Sequence, residues 1–115
     1  MYKVNVADRQ TTLELDRARI KEAVRLVLDD SGLKKATIGV AVVDDATIHE
    51  LNRRYLEHDY PTDVLSFPLE RGPSSLEGEV VVSADTALRS AADYGWPAVD
   101  ELLLYIIHGT LHLVG

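Results

Sequence analysis

The chain has 115 residues, of which 46% are hydrophobic and 27% are charged, and these values are typical of one globular domain rather than a disordered segment. It contains no cysteine, so a disulfide framework and a thiolate metal site are both excluded, and any metal must bind to histidine or carboxylate groups. The net charge of −7 argues against a broad basic surface for a nucleic-acid backbone, so any nucleic-acid contact must be local.

Hydrophobic periodicity predicts the elements of the first half of the chain. Apolar and polar residues alternate over residues 2–6, as in a half-buried strand. From Asp16 the apolar residues recur with the period of a helix, and Gly32 is expected to terminate this helix. The run 37–43 is rich in β-branched residues and almost entirely apolar, which predicts a central strand covered on both faces.

A second helix is predicted after Asp44, which is placed to cap it. Its expected inner face consists of Ile48, Leu51, Asn52 and Tyr55. The segment 57–63 is a turn that ends this helix. Residues 64–67 then form a strand between two prolines, which predicts an edge or irregular strand because proline cannot donate to a ladder.

The second half of the chain is predicted to contain a hairpin followed by two helices. Residues 70–78 are interpreted as a loop, after which 79–82 return as a strand. Ser83 is placed to cap a helix that runs to about Tyr94 and ends at Gly95. The last helix runs from about Ala98 to the end of the chain. The order β-α-β-α-β-β-α-α predicts an α/β (α+β) fold, a single domain over residues 1–115. We expect a mixed sheet of about four strands packed with about four helices, the C-terminal helix being buried.

The C-terminal helix carries two histidines, His108 and His112, four residues apart. On a helix this spacing places both imidazoles on one face, where they can bind a single zinc ion. The alternative is that both are buried or half-buried and satisfied by local hydrogen bonds. The glycine between them, Gly109, indicates a close approach to the backbone, either by something bound at the site or by a packed neighbour. It also stands where a His-Glu-x-x-His peptidase carries its glutamate, so a peptidase of that kind is poorly supported.

Three segments together resemble the YbeY family of bacterial endoribonucleases. They are LNRRYLEHDYPTDVLSFP (51–68), GEVVVS (78–83) and IIHGTLHLVG (106–115). The resemblance implies a metal-dependent enzyme that cleaves single-stranded RNA in rRNA maturation, notably of the small-subunit rRNA, and in ribosome quality control. It also implies one zinc per chain, bound by the three histidines of His-x-x-x-His-x-x-x-x-x-His.

His108 and His112 match the first two zinc ligands of that motif. The third would fall three residues beyond Gly115, so we expect this domain to lack the C-terminal segment that carries it. A second departure is Leu56, because many members have an arginine considered important for catalysis after the tyrosine of LNxxY. Arg54 or the neighbouring Arg53 is a candidate to supply the missing positive charge. Ser66 is a candidate hydroxyl donor to the substrate.

The expected partners are single-stranded RNA or rRNA and ribosomal small-subunit proteins or assembly factors, without DNA or a membrane. The N-terminus lacks a signal-peptide pattern, and no stretch approaches the roughly 20 apolar residues of a membrane span, so we expect a cytoplasmic protein. Two alternatives stay open: a binding module for ribosome assembly that does not cleave RNA, and a zinc metallopeptidase that uses the same histidines.

Overall fold

A computed structural model of the protein, describing residues 1–58 and 62–115, contains four strands and four helices in the predicted order. They are β1 (Tyr2–Asp8), α1 (Arg17–Asp29), β2 (Lys35–Val43), α2 (Asp45–Leu56), β3 (Val64–Arg71), β4 (Ser75–Ser83), α3 (Ala84–Tyr94) and α4 (Ala98–Val114). The predicted turn 57–63 lies partly outside the described residues. None of the helices in the described part of the chain has the length and apolar character that crossing a bilayer requires.

The strands form one mixed sheet in the order β1-β2-β4-β3. β2 pairs in parallel with both β1 and β4, whereas β3 pairs antiparallel with β4. This arrangement confirms the predicted α/β fold, with β2 central and β3 at an edge. The hairpin between β3 and β4 is the reason that the sheet is mixed.

The helices divide unequally between the two faces of the sheet. On one face, alternate residues of β2 and β4, such as Val40 and Val80, belong to a large core together with buried residues of α1, α3 and α4. On the other face a smaller cluster contains Ile48 of α2, Leu65 of β3 and Val81 of β4. Because successive residues of a strand point to opposite faces, α2 and α4 lie on opposite sides of the sheet.

Side-chain caps begin three of the helices, two of them as predicted. The Asp44 carboxylate accepts from the Thr47 amide at 2.8 Å, and the Ser83 hydroxyl accepts from the Thr86 amide at 3.2 Å. Asp16 caps α1 in the same way. Each cap satisfies an amide that has no partner within its helix, so these local sequence signals were sufficient to locate the helix starts.

The predicted loop 70–78 is wrong. β3 continues to Arg71 and β4 begins at Ser75, which leaves only residues 72–74 as the connecting turn. The strand passes through Pro68, which pairs with Gly78, and a bulge follows between Pro68 and Glu70. A proline is tolerated here because β3 is an edge strand, where one side of the backbone has no neighbour that needs a donor.

The prediction that Tyr55 lies on the inner face of α2 is wrong. The buried residues of this helix are Ile48 and Asn52, whereas Tyr55 is 59% exposed. Its ring makes an edge-on contact with Phe67, with 5.9 Å between the ring centroids. Within the described residues β3 is the last strand of the sheet, so no further strand there covers Tyr55 on that side.

Asp45 joins the start of α2 to the start of α3. Its Oδ1 accepts hydrogen bonds from the hydroxyls of Ser83 at 2.6 Å and Thr86 at 2.8 Å. Its Oδ2 accepts from Arg89 at 2.6 Å. Burial alone would raise the pKa of Asp45, but the hydrogen bonds from Ser83, Arg89 and Thr86 outweigh it, and the pKa lies below its ordinary value.

Replacing Asp45 with alanine is expected to lower the free energy of unfolding by about 1–2 kcal/mol at pH 7, because the fully buried Ser83 hydroxyl loses its acceptor. The Arg89 pair adds little, since 61% of that side chain is exposed. A carboxyl whose pKa is lowered by folding stabilises the protein above its ordinary pKa, and this contribution is lost as the pH falls through the lowered value. Urea unfolding at pH 7 and in an acid series measures both effects.

The matched control for Asp45→Ala is Asp93→Ala, which removes an exposed carboxylate in the last turn of α3. Its effect at pH 7 should stay within about 0.5 kcal/mol. The difference in free energy of unfolding between the wild type and Asp45→Ala should become smaller as the pH falls into the acid range. A difference that stays constant from neutral pH to below the ordinary pKa of aspartate would contradict a stabilising role for the ionised carboxylate.

Candidate metal centre

The helix that carries the histidine pair, α4, has one buried and one exposed side. It contributes more buried residues than any other helix in the described part of the chain, among them Leu102, Ile106 and Leu113. The opposite side is exposed and includes Leu104 and Leu111, although the sequence is apolar almost all round. The helix is therefore buried along one side only, and its outer side can be reached from solvent.

Both histidines lie on the exposed side of α4. The centroids of the His108 and His112 rings are 4.8 Å apart and the rings meet edge to face. Together with Leu111 and Gly115 they line a shallow depression in the surface. The alternative that both histidines are buried or half-buried is wrong, because the core of the domain lies against the other side of the helix.

Gly109 faces the sheet, away from the two imidazoles. A Cβ at this position would lie 2.6 Å from Cγ1 of Val80 and 2.9 Å from Cγ2 of Val64, closer than carbon atoms can approach. Gly109 thus allows α4 to pack directly on β3 and β4. Of the two explanations for this glycine, the packed neighbour is the correct one.

Ser66 makes the polar contact between β3 and α4. Its hydroxyl donates a hydrogen bond of 2.9 Å to the carbonyl oxygen of Gly109. The hydroxyl proton is therefore used to hold the helix that carries the histidines, and this contact was not foreseen from the sequence. The role of Ser66 as a donor to substrate stays a prediction.

Arg54 lies on α2, on the other side of the sheet from α4. It is exposed, and its Nη2 atom is 3.7 Å from Oε1 of Glu50, one turn earlier in the same helix. The structure does not bring Arg54 together with the histidine pair, because the sheet lies between the two helices. Its proposed role in place of the arginine missing at Leu56 stays a prediction.

Asp63 fixes the start of β3. Its Oδ1 accepts from the Val64 amide at 2.8 Å and from the Thr62 hydroxyl at 3.3 Å. Its carbonyl accepts from the Ser83 amide at 3.1 Å. These contacts join the start of β3 to the end of β4, beside the sheet residues that α4 covers.

Tyr105 lies on α4 one turn before His108, and its phenol is buried. Burial raises the pKa of Tyr105 to about 12, and a hydrogen bond with Glu101 and the charges of Glu101 and Asp63 act in the same direction, against an opposing hydrogen bond with Ser90. The phenol therefore stays protonated at neutral pH.

Arg71, at the end of β3, contacts the last turn of α4. Its guanidinium donates to the carbonyl oxygens of Leu113 at 2.9 Å and Val114 at 3.3 Å. Sequence analysis missed this residue because it assigned 70–78 to a loop. No local signal identifies it, since the contact joins residues 42 and 43 positions apart.

The histidine pair fits a zinc ion in donor type and in access, but not in number of ligands. Two exposed imidazoles one turn apart are suitable zinc ligands, whereas a catalytic zinc site usually has three protein ligands. Within residues 1–58 and 62–115, no group of three histidine, cysteine or acidic side chains is arranged to bind a metal. The described residues therefore provide two side chains of the ligand type, one fewer than such a site usually has.

The fold and this site define the class of protein: an α/β domain that presents a pair of metal-type ligands on the exposed side of its last helix. The family model described as Endoribonuclease YbeY matches residues 5–115. The chain belongs to the YbeY endoribonuclease family.

Several known proteins are similar to this chain over most of its length. Endoribonuclease YbeY of Rhodopirellula baltica is 47% identical over 105 residues, and the match covers 90% of this chain and 54% of that protein. Endoribonuclease YbeY of Syntrophotalea carbinolica is 34% identical, with 100% of this chain and 80% of that protein covered. A solution structure of a Thermotoga maritima protein superposes with a TM-score of 0.62 at 27% identity, covering 100% of this chain and 73% of the other. The chain thus spans about half the length of the first relative and four fifths of the second.

Proposed function

We propose that this protein is a metal-dependent endoribonuclease that cleaves single-stranded RNA in maturation of the small-subunit rRNA and in ribosome quality control. The observation that supports this proposal is the exposed pair His108 and His112 on one side of α4, in a chain of the YbeY family. The proposal includes action in the cytoplasm, with rRNA and with ribosomal small-subunit proteins or assembly factors as partners.

In this proposal His108 and His112 supply two of the three protein ligands of one zinc ion per chain, and a third histidine beyond Gly115 supplies the other. Held by these residues, zinc would supply Lewis-acid chemistry that activates water as the nucleophile and polarises a phosphoryl oxygen, so the chain itself need not provide a nucleophile. The residues described here hold the two imidazoles in place. Gly109 sets the distance between α4 and the sheet, and Ser66 ties the helix to β3.

The position of the pair suits an extended substrate better than a folded one. Both imidazoles lie in a shallow surface depression rather than in a deep pocket, so a flexible strand can bring one phosphodiester to them. The net charge of −7 offers little general attraction for a nucleic-acid backbone. Recognition then has to come from local contacts and from the ribosomal partners.

A binding module for ribosome assembly is the second candidate, and the ligand count favours it. Two imidazoles bind zinc more weakly than the usual three, and Leu56 replaces the arginine of many relatives. A module of this kind would associate with the small subunit without cleaving RNA, and the association would survive a chelator.

The structure argues against the third candidate, a zinc metallopeptidase. A peptidase of the His-Glu-x-x-His kind carries a glutamate after its first histidine, on the helix that holds the ligands. Here that position is Gly109, which lies against Val80 and Val64 with no room for a Cβ. A glutamate could not be accommodated there, so we expect no turnover of casein.

The test is zinc content together with RNA cleavage, on protein whose intact mass has been checked. We expect the 115-residue chain to bind zinc weakly. A chain extended so that a histidine lies three residues beyond Gly115 should bind about one zinc tightly. With zinc, the extended chain should cleave a fluorescent single-stranded segment of small-subunit rRNA, spare the same segment in a duplex, and stop when a chelator is added.

Each result of this test has a defined meaning. Cleavage that persists after chelation would contradict metal dependence. An extended chain that, when loaded with zinc, cleaves neither the single-stranded segment nor the duplex would contradict the nuclease. If that chain also co-sediments with small subunits after the chelator is added, the binding module is favoured. In the same assay Arg54→Ala and Ser66→Ala test the two catalytic predictions, because a loss of cleavage with unchanged zinc content would assign those side chains to the RNA.

A further inference from the structure

We propose that Arg71 is a positioning residue for the histidine pair, which it supports by capping the C-terminus of α4. The inference rests on the proposed function in one respect, namely that the pair binds a metal. It concerns an exposed arginine on the edge strand whose guanidinium donates to backbone carbonyl groups of α4.

The first observation is the bulge in β3. Before it, Ser66 pairs with Val80 and Pro68 pairs with Gly78; after it, Arg71 pairs with Leu76. In an unbroken ladder Arg71 would pair with Ser75 and point to the other face of the sheet, because side chains alternate along a strand. The extra residue, Leu69, shifts the register by one and turns Arg71 to the face that α4 covers.

The second observation is that Arg71 donates hydrogen bonds to carbonyl groups at the C-terminus of α4. The carbonyl groups in the last turn of a helix have no partners within it and carry partial negative charge. Arg71 donates to two of them, those of Leu113 and Val114, and its positive charge complements the helix dipole. The basic side chain that α4 itself carries in its last turn is that of His112.

The third observation is how the last turn is held against the sheet. The side chain of Leu113 lies over Gly78, where a Cβ would be 3.0 Å from Cδ1 of the leucine. The side chain of Leu113 therefore packs the last turn of α4 against the sheet, while Arg71 donates a hydrogen bond to the carbonyl of the same residue. His112 directly precedes Leu113 and faces solvent, so its backbone is held by these two contacts.

The consequence for the site follows from helix geometry. His112 lies one turn from His108 only while the last turn of α4 remains helical. If this turn unwinds, the two rings separate and stop acting as a pair. Arg71 thus preserves the spacing of the two ligands without binding the metal.

The test uses zinc alone as the probe, titrated calorimetrically into the wild-type chain and into Arg71→Ala. We expect zinc affinity to fall about tenfold, at the low end of what the loss of an outer partner of metal ligands causes. Amide hydrogen exchange over residues 112–115 should become about tenfold faster, in line with the loss of a hydrogen bond to a charged group. Arg71→Lys should recover part of both, because it keeps the charge but not the two-pronged donor.

The matched control is Arg17→Ala, which removes an arginine that donates to a backbone carbonyl elsewhere, that of Val6 at 2.6 Å. It should leave zinc affinity and exchange over residues 112–115 unchanged. Zinc affinity unaltered in Arg71→Ala would overturn the inference while leaving the proposed nuclease intact. If neither the 115-residue chain nor the chain extended past Gly115 binds zinc, both the inference and the metal site of the proposed function fail, whereas an extended chain that binds zinc but cleaves no RNA contradicts the proposed function alone.

Discussion

Zinc binding should be lost when either His108 or His112 is replaced with alanine, while the fold is unchanged. Even the outer partners of metal ligands contribute about 10- to 100-fold in affinity, so removal of a ligand should weaken binding by at least about a hundredfold. Both side chains are exposed, so the free energy of unfolding should change by no more than about 0.5 kcal/mol. Calorimetric zinc titration and urea unfolding measure the two quantities on the same samples.

The control for the histidine variants is His49→Ala, which removes an imidazole from α2 on the other side of the sheet. It should bind zinc as the wild type does. In the extended chain, His108→Ala and His112→Ala should both stop RNA cleavage, whereas His49→Ala should not. If either variant of the pair retained wild-type zinc affinity, the metal would be bound elsewhere and α4 would not be the metal helix.

The second large effect is expected for stability, in Gly109→Ala. Alanine gains about 1 kcal/mol over glycine in the interior of a helix. Against this, overpacking a filled core typically costs about 1–3 kcal/mol and sometimes more. Two separate contacts below 3.0 Å, to Val80 and Val64, place this variant at the upper end of that range. Both neighbours are β-branched and have little freedom to rotate away, so we expect a net loss of about 2 kcal/mol.

The control for Gly109→Ala is Gly39→Ala, in the middle of β2. A Cβ there would meet the flexible side chain of Glu79, 3.3 Å from Oε1 and 3.4 Å from Cγ, so the free energy of unfolding should change by no more than about 0.5 kcal/mol. Urea unfolding gives both values. Gly109→Ala with wild-type stability would mean that α4 does not pack on β3 and β4 as closely as the structure shows.

If Gly109→Ala moves α4 outward, the contacts around the histidine pair should change as well. The Ser66 hydroxyl donates to the carbonyl of Gly109, and a Cβ at position 109 would approach its Oγ to 3.1 Å. Moving the helix outward lengthens this hydrogen bond, but it moves both histidines together on one rigid helix. We therefore expect zinc affinity to change much less than stability, in contrast to the variants of Arg71.

The predictions that the structure confirmed depend on local or strictly periodic features. Asp44 and Ser83 act on amides three residues away, so the starts of α2 and α3 were visible in the sequence. The apolar run 37–43 predicted a central strand because only a strand covered on both faces has so little polar character. The prolines flanking residues 64–67 predicted the edge position of β3.

Other features depended on contacts between distant segments, and only the tertiary structure decided them. A helix as apolar as α4 has no clear polar side, so its sequence does not tell which side meets the sheet or whether His108 and His112 are exposed. The separation of Arg54 from the pair follows from the placement of α2 on the opposite side of the sheet.

By itself, the sequence determined the order of the elements, their caps, the spacing of the histidine pair and the resemblance to one family, because each is encoded within a few residues or in a motif. The tertiary structure decided that Gly109 is a packing contact, that Ser66 holds α4 and that Arg71 reaches its last turn. The last two contacts join residues 43 and 42 positions apart, and the one made by Arg71 also depends on a bulge that reverses the direction of its side chain. Hydrophobic periodicity carries no information about such a reversal, since it describes only the regular part of a strand.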